Sequence, residues 1–72
     1  MTMQQTDIDA IAQLLLETAQ HHDAFEKASP EHNWWDWYAP YFAARQGGST
    51  SEEATAAADE YMARVKGIVA SR

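Results

Sequence analysis

The chain has 72 residues, no cysteine and a formal net charge of −6. This length allows one domain at most, and a domain of this size buries only about 60% of its unfolded surface. The lack of cysteine excludes disulfides and zinc–thiolate centres, and the acidic balance argues against nucleic acid, whose phosphates need a basic face. The sequence shows neither the basic start of a signal peptide nor the long apolar run of a membrane span, so we expect a cytoplasmic protein without membrane contact.

The first predicted helix covers residues 6–27. Thr6 is a suitable N-cap, and Asp7 and Asp9 place negative charge in the first turn, where the helix dipole favours it. An apolar stripe recurs at helical spacing along this segment: Ile8, Ile11, Leu15 and Ala19. Such a stripe predicts a helix whose apolar side faces a core.

The second predicted helix covers residues 30–46. It follows the order Ser29, Pro30, Glu31, in which a capping residue precedes a proline at the first helical position and then an acid. Pro40 falls inside this helix. Because proline lacks a backbone donor and its ring crowds the preceding turn, we expect the helix to be kinked or broken near this residue.

The third predicted helix covers residues 50–70. Gly47 or Gly48 would end the second helix in a left-handed conformation, and Thr50 with Glu53 matches the capping-box pattern. The apolar stripe of this helix is narrow and begins with alanine: Ala54, Ala58, Tyr61, Val65 and Ile68. Small side chains allow close approach, so we expect the bulky aromatic residues of the second helix to pack there.

These patterns predict a single all-α domain over residues 1–72, with three helices and an aromatic core. The chain also carries more apolar surface than one small bundle hides. On a helical wheel, Leu14 and Leu16 widen the apolar arc on both sides of Leu15, and Trp35 and Phe42 lie away from the main aromatic face of the second helix. We therefore expect oligomerisation to complete the fold, as a homo-oligomer or by docking on a protein partner.

Three polar residues fall on helix faces where leucine is expected. His22 and Glu26 are four residues apart within the apolar stripe, and Arg45 lies near the centre of an aromatic face. Buried charges are costly unless they are paired and hydrogen-bonded. A hairpin of the first two helices would bring Glu26 near His32 and leave Arg45 to reach the third helix, a terminus or another chain.

Three interpretations of these polar residues stay open. The first is a structural network that holds the helices in register. The second is a transition-metal site built from His22, Glu26 and His32, because imidazole and carboxylate suit such ions. The third is a small-ligand pocket with an aromatic wall, formed by His22, Glu26, His32, Trp34, Trp37, Tyr38, Tyr41 and Arg45.

A series of residues at fixed spacing extends over about half of the chain. Its members are His22, Phe25, Glu26, Pro30, His32, Trp34, Trp37, Tyr38, Ala39, Tyr41, Ala44 and Arg45, followed by Thr50, Glu52, Glu53 and Ala54. This series resembles a helical segment of bacterial vicinal-oxygen-chelate proteins (glyoxalase and bleomycin-resistance-like), where it forms a tail or a short separate protein. Ser51, where that pattern has proline, and Pro40 depart from it.

The resemblance implies a compact accessory or standalone helical module connected with small-molecule resistance or detoxification. The metal-binding residues of that family belong to its own domain, so none is transferred to this chain. The sequence shows no nucleophile arrangement, phosphate loop or cofactor motif, so we predict a non-catalytic interaction module without a cofactor. The alternative is a small-ligand or metal-binding protein that uses His22, Glu26 and His32 beside the aromatic wall.

Overall fold

The structure is a computed structural model that describes residues 5–71. It contains α1 (Gln5–Ala28), α2 (Trp34–Gln46) and α3 (Ser51–Tyr61), followed by a π-helical segment (Met62–Lys66). The described residues form no strand, so the all-α class with three helices is confirmed. The predicted domain also includes residues 1–4 and 72, which lie outside the described residues. Within residues 5–71, no helix is both long and apolar enough to cross a membrane.

α1 extends beyond the helix that packs on it. Its 24 residues span about 36 Å, and the molecule measures 40 × 19 × 19 Å. α2 runs antiparallel to α1 and contacts its C-terminal half, since His22 packs on Tyr38 and Glu17 bonds to Arg45. Every residue from 7 to 13 is exposed. We call residues 7–13 the projecting segment. The predicted cap Thr6 lies within α1 rather than before it.

The inward side of α1 differs from the predicted one. Leu15 and Ile8 are about half exposed. The residues that face the core lie on the side of the helix next to that stripe: Leu14, Thr18, His22 and Phe25. Thr18 is fully buried and its hydroxyl donates to the Leu14 carbonyl at 2.6 Å, so a polar residue is accommodated there. The long apolar stripe is therefore mainly an outer surface of the molecule.

α2 begins four residues later than predicted, at Trp34, and residues 29–33 form a non-helical loop. The Pro30 carbonyl, which would accept a backbone bond in a helix, lies 2.9 Å from Nδ1 of His32 instead. Asn33 is extended (φ −79°, ψ 127°) and precedes the first turn. α2 continues through Pro40 without interruption, so the predicted break does not occur. A kink at Pro40 stays a prediction.

α3 begins with the predicted capping box. The Glu53 carboxylate accepts from the Thr50 backbone N–H at 2.8 Å, and the Thr50 hydroxyl accepts from the Glu53 N–H at 3.2 Å. The glycine in left-handed conformation before it is Gly48 (φ 100°). The helical region ends at Lys66 rather than near residue 70, because Gly67 is also left-handed (φ 70°). The chain then returns to α1.

The core lies between α2, α3 and the C-terminal half of α1. Its fully buried members are Phe25, Trp37, Tyr41, Ala54, Ala58 and Met62. The two alanines leave room for the large rings of α2, and Trp37 Nε1 donates to Asp59 Oδ1 at 3.0 Å. The predicted packing of aromatic residues on an alanine-rich helix is confirmed. After Gly67, the Ser71 N–H donates to the Ala28 carbonyl at 2.7 Å, which ties the last described residues to the end of α1.

Candidate functional site

The first candidate site is an apolar groove between α1 and α2, with a volume of about 430 Å³. Leu15 of α1 forms one wall, and α2 contributes the other wall and the floor: Trp34, Trp35, Tyr38, Ala39 and Phe42. Trp34 and Trp35 are each about half exposed, with their rings edge to face at 5.4 Å between centroids. None of the described residues that line the groove carries a charge. Such a surface suits another apolar surface better than a polar ligand.

The groove continues onto the outer side of α1. Ile11 and Ile8 are each more than a third exposed and lie on the same side of α1 as Leu15, about one and two turns before it. Leu16 is also exposed but borders a separate cavity beside Glu17 and Arg45. We call the stripe of Ile8, Ile11 and Leu15 together with the groove the apolar surface. Trp35 and Phe42 line the groove together with Trp34 and Tyr38, whereas Trp37 is in the core.

The second candidate site is a charged cluster that joins α1 to α2. The Arg45 guanidinium donates to both carboxylate oxygens of Glu17, at 2.8 Å from Nε and 3.1 Å from Nη2, and its Nη1 donates to the Ser49 carbonyl at 2.8 Å. The Tyr41 hydroxyl donates to the same carboxylate at 2.6 Å. Arg45 thus bonds within its own chain, to α1 and to the loop before α3. Its partner Glu17 was not among the predicted site residues.

These bonds change the proton affinities in the cluster. The hydrogen bonds from Arg45 and Tyr41 lower the pKa of Glu17 to about 2. Burial, together with the bond to Glu17, raises the pKa of Tyr41 to about 12. Three hydrogen bonds occupy most of the roughly four acceptor positions of the carboxylate, so the cluster stabilises the contact between the helices.

The third candidate site is a histidine pair between α1 and the following loop. His22, which is only 5% exposed, places Nε2 at 2.9 Å from Nε2 of His32. The Pro30 carbonyl can only accept, so Nδ1 of His32 carries a hydrogen. In the neutral pair Nε2 of His32 is then the acceptor and Nε2 of His22 the donor. This chain of bonds fixes the loop on the C-terminal half of α1.

His22 takes up a proton reluctantly. Burial lowers the pKa of His22, and the charge of a protonated His32 lowers it further, whereas Glu26 and Asp23 on α1 oppose the shift. The aromatic rings of Phe25 and Tyr38 pack edge-on against the pair and limit its access to water. A second proton would set two N–H groups facing each other at hydrogen-bond distance.

We expect stability to fall as the pH drops below 6.5, the ordinary pKa of histidine. Because His22 has a lower pKa in the folded chain, the unfolded chain binds protons first, and stability is lost until the folded pKa is reached. His22→Gln keeps a donor for His32 but does not titrate. It should flatten this part of the profile, at a loss of about 1 kcal/mol or less at neutral pH.

The measurement is the free energy of unfolding in urea at several pH values between 5 and 8. His21→Gln is the matched control, because His21 lies next in the chain and stacks on Tyr41 outside the pair. Equal slopes in the wild type and His22→Gln would contradict a role of His22 in the acid sensitivity.

The predicted metal triad is not assembled. Glu26 is exposed and takes no part in the histidine pair, contrary to its predicted inward position. No group of three or more His, Cys, Asp or Glu residues within residues 5–71 could hold a metal ion. The centroids of the His22 and His32 rings are 5.1 Å apart. With the nitrogens at 2.9 Å, the two nitrogens point at each other as in a hydrogen bond and not toward a shared ion.

The predicted aromatic wall divides between two environments. Trp37 and Tyr41 stack on each other in the core, with 5.1 Å between ring centroids, and are fully buried. Trp34 and Tyr38 line the groove instead. The eight predicted ligand-binding residues therefore do not surround one cavity. A sequence pattern could have separated the two groups, because Trp35, Ala39 and Phe42 recur at helical spacing on the side of α2 opposite Trp37.

The fold and these sites define a small all-α protein whose polar clusters are hydrogen-bonded within the chain and whose apolar surface is exposed. Comparison with known proteins adds no relative: no family model, curated protein or solved structure matches the chain. The resemblance to the tail of vicinal-oxygen-chelate proteins stays a prediction.

Proposed function

We propose that this chain is a non-catalytic helical interaction module that self-associates through the apolar surface. The observation that carries the proposal is the uncharged groove, which is continuous with the exposed stripe of α1. Contiguous exposed apolar areas on small proteins mark interaction sites. The polar groups of the charged cluster and of the histidine pair, in contrast, make their hydrogen bonds within the chain.

The amount of exposed surface supports the same conclusion. A compact monomer of 8.1 kDa exposes about 4,500 Å², whereas this chain exposes 4961 Å². The radius of gyration is 12.9 Å, compared with about 11 Å for a compact domain of this length. The projecting segment, in which every residue is exposed, contributes to this surface, and packing on another molecule would cover it.

A second copy of the chain is the occupant that we propose. The molecule carries both halves of a contact, a projecting segment with an apolar stripe and a groove with apolar walls. A standard interface covers about 800 Å² on each partner, which is about a sixth of this surface. Two chains of charge −6 repel each other, but no charge lies in the groove. Added salt should therefore strengthen self-association, whereas it would weaken binding to a basic partner.

Sedimentation equilibrium over a range of concentrations tests this proposal. The wild type should form dimers more readily at high salt, and Leu15→Glu should be monomeric, because it places a charge on the apolar surface. Leu15 is 47% exposed in the single chain, so this substitution should leave the helix content unchanged.

Val69→Glu is the matched control, because it adds the same charge at an exposed apolar residue outside the groove. It should associate like the wild type. A wild type that remains monomeric at every concentration and salt level would overturn the proposal. Equal dissociation by Leu15→Glu and Val69→Glu would show that the contact lies elsewhere.

The resemblance to the tail of bleomycin-resistance-like proteins supports a further part of the proposal, an accessory role in small-molecule resistance in the cytoplasm. Its test is the drug tolerance of host cells with and without the chain, together with fractionation of those cells. Unchanged tolerance to bleomycin-type compounds would remove this role and leave the self-association untouched.

A further inference from the structure

We propose that the two copies pair antiparallel, with the projecting segment of each chain lying in the apolar groove of the other and Leu15 at the two-fold axis. This inference rests on the proposed self-association and specifies its geometry. The groove would then be complete only in the dimer, since its open side is closed by the second chain.

The position at which α2 packs along α1 determines which residues of α1 lie beside the groove. Near the end of α2, Arg45 and Tyr41 bond to Glu17, and further toward its start Tyr38 packs on His22. The outer side of α2 therefore borders α1 from about the level of Leu15 toward the C-terminal end of α1. Leu15 lies at the boundary between the groove and the projecting segment.

An antiparallel partner brings matching side chains to these levels. A two-fold axis at Leu15 places Ile11 of the partner at the level of residue 19 along α1, and Ile8 of the partner at the level of residue 22. The groove residues of α2 at about those levels are Phe42 and Ala39, because Tyr38 packs on His22 and Tyr41 bonds to Glu17. Both rows repeat at intervals of three and four residues and run in the same direction, so their side chains can interdigitate along this part of the groove.

The sizes of the facing residues support this register. Ile11 would face Ala19 of the partner, and a large residue opposite a small one lets helices interlock without a void. A parallel pair would place each alanine opposite itself. It would also leave the part of the groove beside Ala39 and Phe42 uncovered, because projecting segments would meet each other and not α2.

The formal charges also favour the antiparallel pair. Asp7 and Asp9 lie in the first turns of α1. A parallel pair would bring these two acids of one chain beside the same two acids of the other. The antiparallel pair separates them, brings Asp7 to the level of Asp23, whose carboxylate is paired with Lys27 at 2.9 Å, and aligns the helix dipoles favourably.

Single cysteines test this geometry directly, because the chain has none of its own. In a glutathione redox buffer, Leu15→Cys should form a disulfide-linked dimer about tenfold faster than Val69→Cys, whose thiol meets its copy only by collision. Ile8→Cys should resemble Val69→Cys. In the antiparallel pair the two Ile8 positions are about 21 Å apart along the axis, well beyond the reach of a disulfide.

The double variant Ile8→Cys with Ala39→Cys should link rapidly between chains. Within one chain these positions are too far apart along α1 to react, so intramolecular closure does not compete. Rapid linkage of Ile8→Cys alone would indicate a parallel pair and overturn this inference. Slow linkage of Leu15→Cys in a protein that sediments as a dimer would also overturn it. In both cases the proposed self-association would survive, whereas a monomer in sedimentation would remove both proposals.

Discussion

Replacing Trp37 with alanine is expected to remove a large part of the free energy of unfolding. Trp37 is fully buried, stacks on Tyr41 and packs against Phe25 at 5.8 Å between ring centroids. Removing a buried aromatic side chain costs about 3–5 kcal/mol. A domain of this length has about 4–11 kcal/mol of stability in total. The lost bond to Asp59 adds to the loss.

The matched control is Trp35→Ala, the same change two residues away at a ring that is 52% exposed. Both variants should be made in the Leu15→Glu background, so that self-association does not contribute to the measured stability. Circular dichroism during urea unfolding should show a loss for Trp37→Ala at least three times that for Trp35→Ala. Similar losses would mean that the core does not centre on Trp37.

The parts of the fold that the sequence predicted well are those with local causes. The Thr50–Glu53 capping box needs only residues three apart, and it is present as expected. The close packing of α2 on α3 followed from alanine at positions 54 and 58, because side-chain size limits how near two helices approach. These signals act over a few residues, so they can be interpreted without knowledge of the remaining chain.

The start of α2 could not be predicted in the same way. Ser29, Pro30 and Glu31 carry a strong local signal for a helix start, but His32 bonds back to the Pro30 carbonyl and to His22 on α1. That contact joins residues ten apart, and it holds the loop in a non-helical conformation. A competing tertiary bond of this kind leaves no trace in the local pattern. The end of the helical region before residue 70 has a local signal in the sequence, Gly67.

The inward side of α1 was wrongly predicted for a physical reason. An amphipathic stripe shows that one side of a helix avoids water, but it does not show whether the chain itself or another molecule covers it. Taking Leu15 as the inward centre placed Glu17 on the far side and hid its bond to Arg45. The aromatic core was predicted correctly, whereas Glu26 is exposed and not inward as predicted.

The second large effect is expected for Glu17→Gln in acid. In the wild type, Arg45 and Tyr41 hold the pKa of Glu17 at about 2, below its ordinary value of 4.5. The unfolded chain therefore binds a proton here first as the pH falls, and the stabilisation that is present above pH 4.5 is lost between pH 4.5 and about 2. Glu17 is 28% exposed, so we expect about 1–2 kcal/mol after solvent screening.

Glu17→Gln should accordingly be less stable than the wild type by about 1–2 kcal/mol at pH 7, and the difference should vanish near pH 2. The amide oxygen of the substituted side chain can accept a hydrogen bond from Tyr41 or from Arg45, but without a charge it does not hold both. The tyrosinate absorbance should also appear at lower pH than in the wild type, because the bond to Glu17 contributes to the raised pKa of Tyr41. This optical signal reports on the cluster independently of unfolding.

Glu60→Gln provides the matched control, since Glu60 pairs with Arg64 at 3.9 Å and both side chains are about 70% exposed. Exposed pairs of this kind contribute little, so the control should follow the wild-type profile at every pH. A constant difference between Glu17→Gln and the wild type from pH 7 to pH 2 would contradict the assignment, because a purely steric loss does not depend on protonation. Convergence of the two profiles only below pH 4.5, together with an earlier tyrosinate signal, is the pattern that a carboxylate shared by Arg45 and Tyr41 requires.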